Sequence, residues 1–499
     1  MGFLLPLIFV PILTVIAIGF TRSQHQTRMA AAIGMGLQFL LSVNLLIQYL
    51  LERKAGNTAE MLFRKSFVWF ESLNIKLDIG VDGISVAMIL LTGIIVIAGV
   101  FASWNMKDLS KEFFISLILL ATGVFGFFIS IDLFVMFLFY EMAVIPMYLL
   151  IGIWGTGPKE YSAMKLTLML MAGSALILLG ILGLYFNSAP DGGALTFNLL
   201  EIAKINIPLS AQRMFFPLTF AGFGVLSALF PFHTWSPDGH ASAPTAVSML
   251  HAGVLMKLGG YGCLRVAMFL MPQAAHEMAI IFLVPTGISV IYGAFVAVRQ
   301  KDLKYINAYS SVSHVGLILF ALLMLNKTAI TGAVLQMVSH GLMTALFFAL
   351  IGMIYGRTHT RMIDKMGGLL KVMPFLGAAY IIAGFASLGL PGFSGFVAEM
   401  NIFVGAFQVS DTFHRVLTIL AVSSIVITAV YVLRVVGRLL LGPIEHAEYE
   451  LLEDGHWYER ISTGLLIVAI AGMGLLPLWI TDMIRDSLDP IMTKLASTF

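Results

Sequence analysis

Lys257 stands in SMLHAGVLMKLGGYGCLR, among neighbours that are almost all apolar. A lysine near mid-membrane costs roughly 2.5–3.5 kcal/mol even on the lenient insertion scale, so it demands a functional explanation. The chemistry it offers is proton carriage, because a buried lysine, unlike arginine, can release and regain its proton. Snorkelling of the ammonium to a helix end is the structural alternative, and Arg265, two turns on, reads more readily that way. Gly259, Gly260 and Gly262 permit close helix packing beside the lysine.

Other ionisable groups sit in similar places. Glu141, in FVMFLFYEMAVIPMYLL, is nine residues after Asp132 and five before Pro146. It reads as a proton-binding carboxylate with a cationic partner, or else as a protonated structural carboxyl. His314, in AYSSVSHVGLILF, is surrounded by Ser310, Ser311 and Ser313, and His340, in AVLQMVSHGLMTALF, follows Ser339. Two neighbouring helices that each offer serine and histidine can pass protons near neutral pH, although a hydrogen-bonded core histidine is the plainer alternative. Glu399, in PGFSGFVAEMNIF, follows a Pro-Gly break. It serves either as a terminal proton-exchange group or as an acid favoured by the helix N-terminus. Lys304, in VRQKDLKYINAY, enters a span from a basic loop and is equally a relay group or a positive anchor.

Several other chemistries are excluded. The sequence has no Walker A loop, no G-x-G-x-x-G and no G-x-S-x-G, and His276-Glu277 lacks the second histidine of a zinc-protease helix. His233, Asp238 and His240 offer too few ligands for a metal site, and their loop's prolines explain it structurally. The single cysteine, Cys263, excludes an intrachain disulfide and a cysteine-ligated iron–sulfur cluster. A net charge of +2 without long basic runs gives no support to nucleic-acid binding.

The elements that must position these groups are membrane helices. Of 499 residues 59% are hydrophobic and 11% charged, with mean hydropathy +0.94, whereas soluble domains carry about a quarter charged residues. The expected fold class is an all-α polytopic membrane protein. Apolar windows predict about fourteen spans, near 3–20, 30–50, 84–103, 113–131, 133–154, 164–186, 214–231, 243–270, 277–298, 305–325, 328–355, 373–408, 414–440 and 462–481. The first reads as a span, since it lacks a signal peptide's basic flank. Span 7 breaks at Pro231 into a loop holding His233, Trp235, Pro237, Asp238 and His240, and span 12 breaks at LGLPGFSGF. Broken helices in corresponding places suggest two inverted five-helix repeats, spans 4–8 and 9–13. The chain then divides into residues 1–110, 111–271, 272–440 and 441–499. Basic residues follow odd-numbered spans (Arg22, Lys107, Lys159, Arg299, Lys301, Arg357), so those loops are expected on the cytoplasmic side and both termini opposite. The 52–83 loop, with five acids, carries little topological weight.

PFHTWSPDGHASAPTAVSMLHAGVLMKLGGYGCLR, AYSSVSHVG, RTHTRMIDKMGGL and LGLPGFSGFVAE resemble the antiporter-like proton-channel subunits of respiratory complex I, of the NuoM/ND4 type. The resemblance runs through roughly residues 75–440. It implies fourteen helices in inverted repeats and proton movement along a central path through Glu141, Lys257, His314, His340 and Glu399, driven by redox chemistry elsewhere. FMN, iron–sulfur clusters and quinone are then expected on partner subunits, with NuoL- and NuoN-like membrane subunits as neighbours. The implied location is a bacterial cytoplasmic membrane. An Mrp-type cation/proton antiporter subunit and a membrane subunit of an energy-converting hydrogenase are the alternatives.

One position departs from the pattern. The family usually carries a lysine five residues before the PFH motif, paired with the span 5 glutamate, and here Leu226 stands there. His251, within two turns of Lys257, is the candidate substitute, against the alternative of a packing histidine.

Overall fold

The computed structural model describes residues 2–189 and 192–496. Long apolar runs satisfy their own backbone in lipid as helices. In chain order these begin α1 Pro6–Gly19, α2 Gln24–Lys54, α3 Gly83–Ala102, α4 Ser110–Ile129, α5 Leu133–Trp154 and α6 Lys159–Phe186. The middle of the chain forms α7 Leu199–Ala203, α8 Leu209–Leu226, α9 Trp235–Ser242, α10 Thr245–Leu250, α11 Met256–Gly262, α12 Pro272–Arg299, α13 Leu303–Leu322 and α14 Lys327–Thr358. There follow α15 Leu369–Val372, α16 Pro374–Ser387, α17 Ser394–Gln408, α18 Thr412–Leu440, α19 Trp457–Leu475, α20 Leu478–Ser487 and α21 Asp489–Ala496.

Among the described residues ten helices are long and apolar enough to cross a membrane. Predicted spans 1, 7, 8 and 12 fall outside that set: α1 is short, and the other three correspond to α8 and to runs whose helical geometry changes midway. The α14 helix is the centre of the bundle, with 94% of its apolar window buried, whereas only 33% is buried in α2 and α18. A helix that is apolar on every side belongs in the interior.

The all-α expectation needs correction. Within the 52–83 loop, β1 Leu62–Phe70 and β2 Ile75–Val81 form an antiparallel hairpin, pairing Leu62 with Val81 and Phe70 with Ile75. Its strands are rich in β-branched and aromatic residues, and Asn74 takes the left-handed turn at φ 54°. Arg64 holds Asp78 across the strands at 2.7 Å.

The first helix break also differs from expectation. The α8 helix ends at Leu226, before Pro231, and the predicted loop over Trp235–Ser242 is itself the short helix α9. Trp235 Nε1 donates to the Val225 carbonyl at 3.1 Å, a second donor beside the Ala228 backbone N–H at 3.0 Å, and so ties α9 to the end of α8. Pro237 is tolerated because it falls in the first turn of α9. The second break lies where expected, between α16 and α17, with Gly389 and Gly392 at φ +62° and +94°; side chains rarely adopt such angles.

Candidate functional site

Lys257 lies on α11, between two wide π turns, His251–Leu255 and Cys263–Met268. Such turns loosen the regular backbone pairing and recur at functional sites. The Ala252 carbonyl, in the first of them, accepts a hydrogen bond from Lys257 Nζ. Nζ also lies 2.7 Å from His340 Nδ1 on α14. With 1% of its surface exposed the lysine does not snorkel. The glycines beside it bring α8 close: a Cβ on Gly259 would strike Ser227 and the Phe223 carbonyl, and one on Gly262 would strike the Phe223 ring.

Beyond His340 the ionisable groups lie close together but are not directly bonded. The His340 ring lies 5.4 Å from that of His314 on α13, and His314 Nδ1 is 3.8 Å from Glu399 Oε1. Gln336 Nε2 donates to the same Nδ1 at 3.1 Å while its Oε1 has no partner, so a rotation of the amide would offer an acceptor to a protonated His314. The Ser339 hydroxyl meets that of Ser394, the first residue of α17, at 2.8 Å. The Glu399 carboxylate turns back toward the second break, where a Cβ on Gly389 would press on Oε2.

The remaining candidates lie elsewhere. His251, wholly buried, stacks on Trp235 at 5.2 Å and meets His240 at 4.2 Å with the rings tilted, and neither ring nitrogen has a hydrogen-bond partner. Glu141 is half-buried beside Ser174 of α6, with Oε1 unpartnered. The pairing of His251 with Glu141 expected in place of the missing lysine is therefore not formed by a direct bond. Leu226 is fully buried in the apolar core at the end of α8. Lys304 is no exposed anchor: it is 5% exposed, and Nζ donates to the Ala243 carbonyl just after α9 at 2.6 Å.

Several polar contacts escaped the sequence reading. Gln336 is four residues before His340 and so shares its helix face, a spacing that could have revealed it. His240 joins His251 only because α9 folds back over α10. Arg265, expected to snorkel, is instead buried against Asp82, the N-cap of α3, each side chain 1% exposed. Residues so distant in sequence give no signal of pairing. Asp238, considered with His233 and His240 as a metal ligand, is bound by Lys165 at 2.7 Å and by the Tyr305 hydroxyl at 3.1 Å. Near these, Arg361 donates to the Ala241 carbonyl at 2.7 Å and lies 3.1 Å from Asp302. In the adjoining loops, Lys301 bonds Asp364 at 2.7 Å and holds its carboxyl below the usual carboxylate range.

The geometry has counterparts in known proteins. Residues 130–428 match the model of the family described as NADH:quinone oxidoreductase/Mrp antiporter, TM. NADH-quinone oxidoreductase subunit M of Rickettsia prowazekii is 34% identical over 493 residues, 98% of each chain. In respiratory complex I from Thermus thermophilus a chain superposes with TM-score 0.89 at 24% identity, covering 99% of both chains. The Mrp complex of a Dietzia species holds a chain with TM-score 0.82 at 16% identity, covering 99% of this chain and 100% of that one. At such identities the two structures speak for the fold alone.

Proposed function

Because the chain belongs to the NADH:quinone oxidoreductase/Mrp antiporter family and is of the subunit M type, we propose that it is a proton-translocating membrane subunit of an NADH- or ferredoxin-linked quinone oxidoreductase. The observation that carries the mechanism is the buried series Lys257, His340, His314, Glu399, in which Lys257 bonds His340, the two imidazole rings lie 5.4 Å apart and His314 Nδ1 comes to 3.8 Å from Glu399. Proton transfer needs donors and acceptors already aligned. Here Lys257 as an ammonium donates to His340 Nδ1, and with the proton on His340 the same contact runs the other way. His314 and Gln336 offer the next exchange, and Glu399 ends the series at the second helix break.

The upstream end is built differently. With Leu226 at the end of α8, the polar groups bordering Lys257 on that side are His251 and His240, whose rings touch and whose unpartnered nitrogens call for water at their outer edges. Glu141 reaches the series through such water rather than through a lysine. Lys304, bonded to the segment after α9, links that cluster to the basic loops.

The inverted repeat is the frame for this path. Its support is the pair of helix breaks, and a further correspondence: Asp132 caps α5 and Asp302 caps α13, the predicted spans 5 and 10. Each also forms an isolated bridge to the segment after the following span, Asp132 to Asn198 and Asp302 to Met362. Counting α1, α8, the run through α10 and α11, and the α16–α17 pair as membrane elements gives the fourteen spans. In this reading the redox groups reside on partner subunits, NuoL- and NuoN-like chains are the neighbours, and the complex sits in a bacterial cytoplasmic membrane. Mrp complexes share the fold, but the subunit M relative matches this chain from end to end at higher identity.

The test is Lys257→Met in the assembled complex, with proton uptake by inverted vesicles followed by dye quenching. Loss of about tenfold or more is expected, the scale of one positioned proton-transfer group. Undiminished uptake in an assembled complex would refute the proposal.

A further inference from the structure

Glu399 meets a second polar route that the central series does not use. On its outer side lies a cavity of about 10 Å³ lined by Ser313, His314, Ser387, Glu399, Ser424 and Thr428. A separate cavity of about 20 Å³ lies between α13 and α18, lined among others by Leu303, Asn307, Ser310, Tyr380 and Tyr431. Volumes of this order hold about one water each. Between them stands Tyr431, 2% exposed, whose hydroxyl is 2.7 Å from Ser310 Oγ. On its other side the Tyr431 hydroxyl faces those of Ser387 and Thr428, both of which line the Glu399 cavity. Ser387 Oγ is buried and faces the Tyr431 hydroxyl without a well-formed hydrogen bond, and such a group ordinarily bonds an ordered water.

The order of these groups along the helices has a direction. On α13 the larger cavity touches residues 303–310 and the smaller one residues 313–317. On α18 the same cavities touch 431–435 and 424–428. Both helices therefore place the larger cavity toward the end that carries Arg299, Lys301, Arg434 and Arg438. At 1.5 Å per residue, Leu303 to Ser310 is about 10 Å, and Asn307, bonded to Thr344 at 3.3 Å, lies between them.

We propose that Tyr431 is a proton-relay group joining the basic-loop end of α13 and α18 to Glu399, so that the second half of the chain has its own access to that side. One transfer moves a proton from water in the larger cavity, by way of Ser310, to the Tyr431 oxygen. The hydroxyl's own proton passes to water in the smaller cavity and on to the Glu399 carboxylate, and rotation of the two hydroxyls resets them. The net change is one proton gained by Glu399 and one lost from the basic-loop side, with no electron transfer.

This inference rests on the proton-translocating reading above, and its test separates the two. Tyr431→Phe keeps the ring and removes only the hydroxyl. In the assembled complex it is expected to lower proton uptake per NADH oxidised by about tenfold or more, and to abolish the solvent deuterium effect on uptake that the relay contributes. A Tyr431→Phe complex with wild-type proton yield and isotope effect overturns the inference. If Lys257→Met in the same preparation is also unimpaired, the translocation reading itself has failed. Should Tyr431→Phe not assemble, the double variant Ser310→Ala/Ser387→Ala removes a hydroxyl on each side of the tyrosine and must give the same loss.

Discussion

Lys257 Nζ and His340 Nδ1 lie 2.7 Å apart, both residues 1% exposed, on helices far apart in the chain. A proton can occupy either end of that contact without movement of heavy atoms: the ammonium donates to a neutral imidazole, or the imidazole N–H donates to a neutral amine. His340 Nε2 is buried and has no hydrogen-bond partner in the protein.

Replacing Lys257 by arginine retains charge but not exchange, since a guanidinium holds its proton at all accessible pH. Lys257→Arg is expected to assemble normally and to lose proton uptake about as fully as Lys257→Met. Uptake measured at matched NADH oxidation rates checks this, and a working arginine variant would show that charge alone suffices.

His251 stands where polar groups border Lys257 upstream in the absence of a lysine at position 226. His251→Ala is expected to lower uptake by about tenfold or more while assembly survives, and Leu226→Lys added to it should recover part of the rate. Full activity in the single variant would reduce His251 to a packing residue against Trp235.

Arg265 and Asp82 are a buried ion pair that joins the segment after α11 to the N-terminus of α3. Removing one partner strands the other charge, which typically costs about 3–5 kcal/mol. Arg265→Ala should therefore lower the melting temperature of the detergent-solubilised complex or block its assembly. Arg265→Met with Asp82→Asn, which keeps the helix cap, should restore most of the loss. Unchanged melting in Arg265→Ala would mean the pair contributes little.

The membrane helices, the second helix break and the importance of Lys257 were legible in the residue order. Apolar length, glycine and proline act locally, and a lysine among leucines is conspicuous wherever it lies. The hairpin over 62–81 was obscured because its charged residues resemble those of a loop. The early end of α8 and the helical state of Trp235–Ser242 depend on contacts such as Trp235 to the Val225 carbonyl, which spacing does not reveal.

By itself the sequence determined that this chain fills a membrane and that Glu141, Lys257, His314, His340 and Glu399 are the groups lipid does not tolerate without purpose. Which of them touch was decided by the tertiary structure alone. Lys257 meets His340, Arg265 meets Asp82 and Tyr431 meets Ser310 across separations of many tens of residues. Periodicity fixes which face of a helix a residue occupies, but which other helix that face meets is set by packing of the whole bundle.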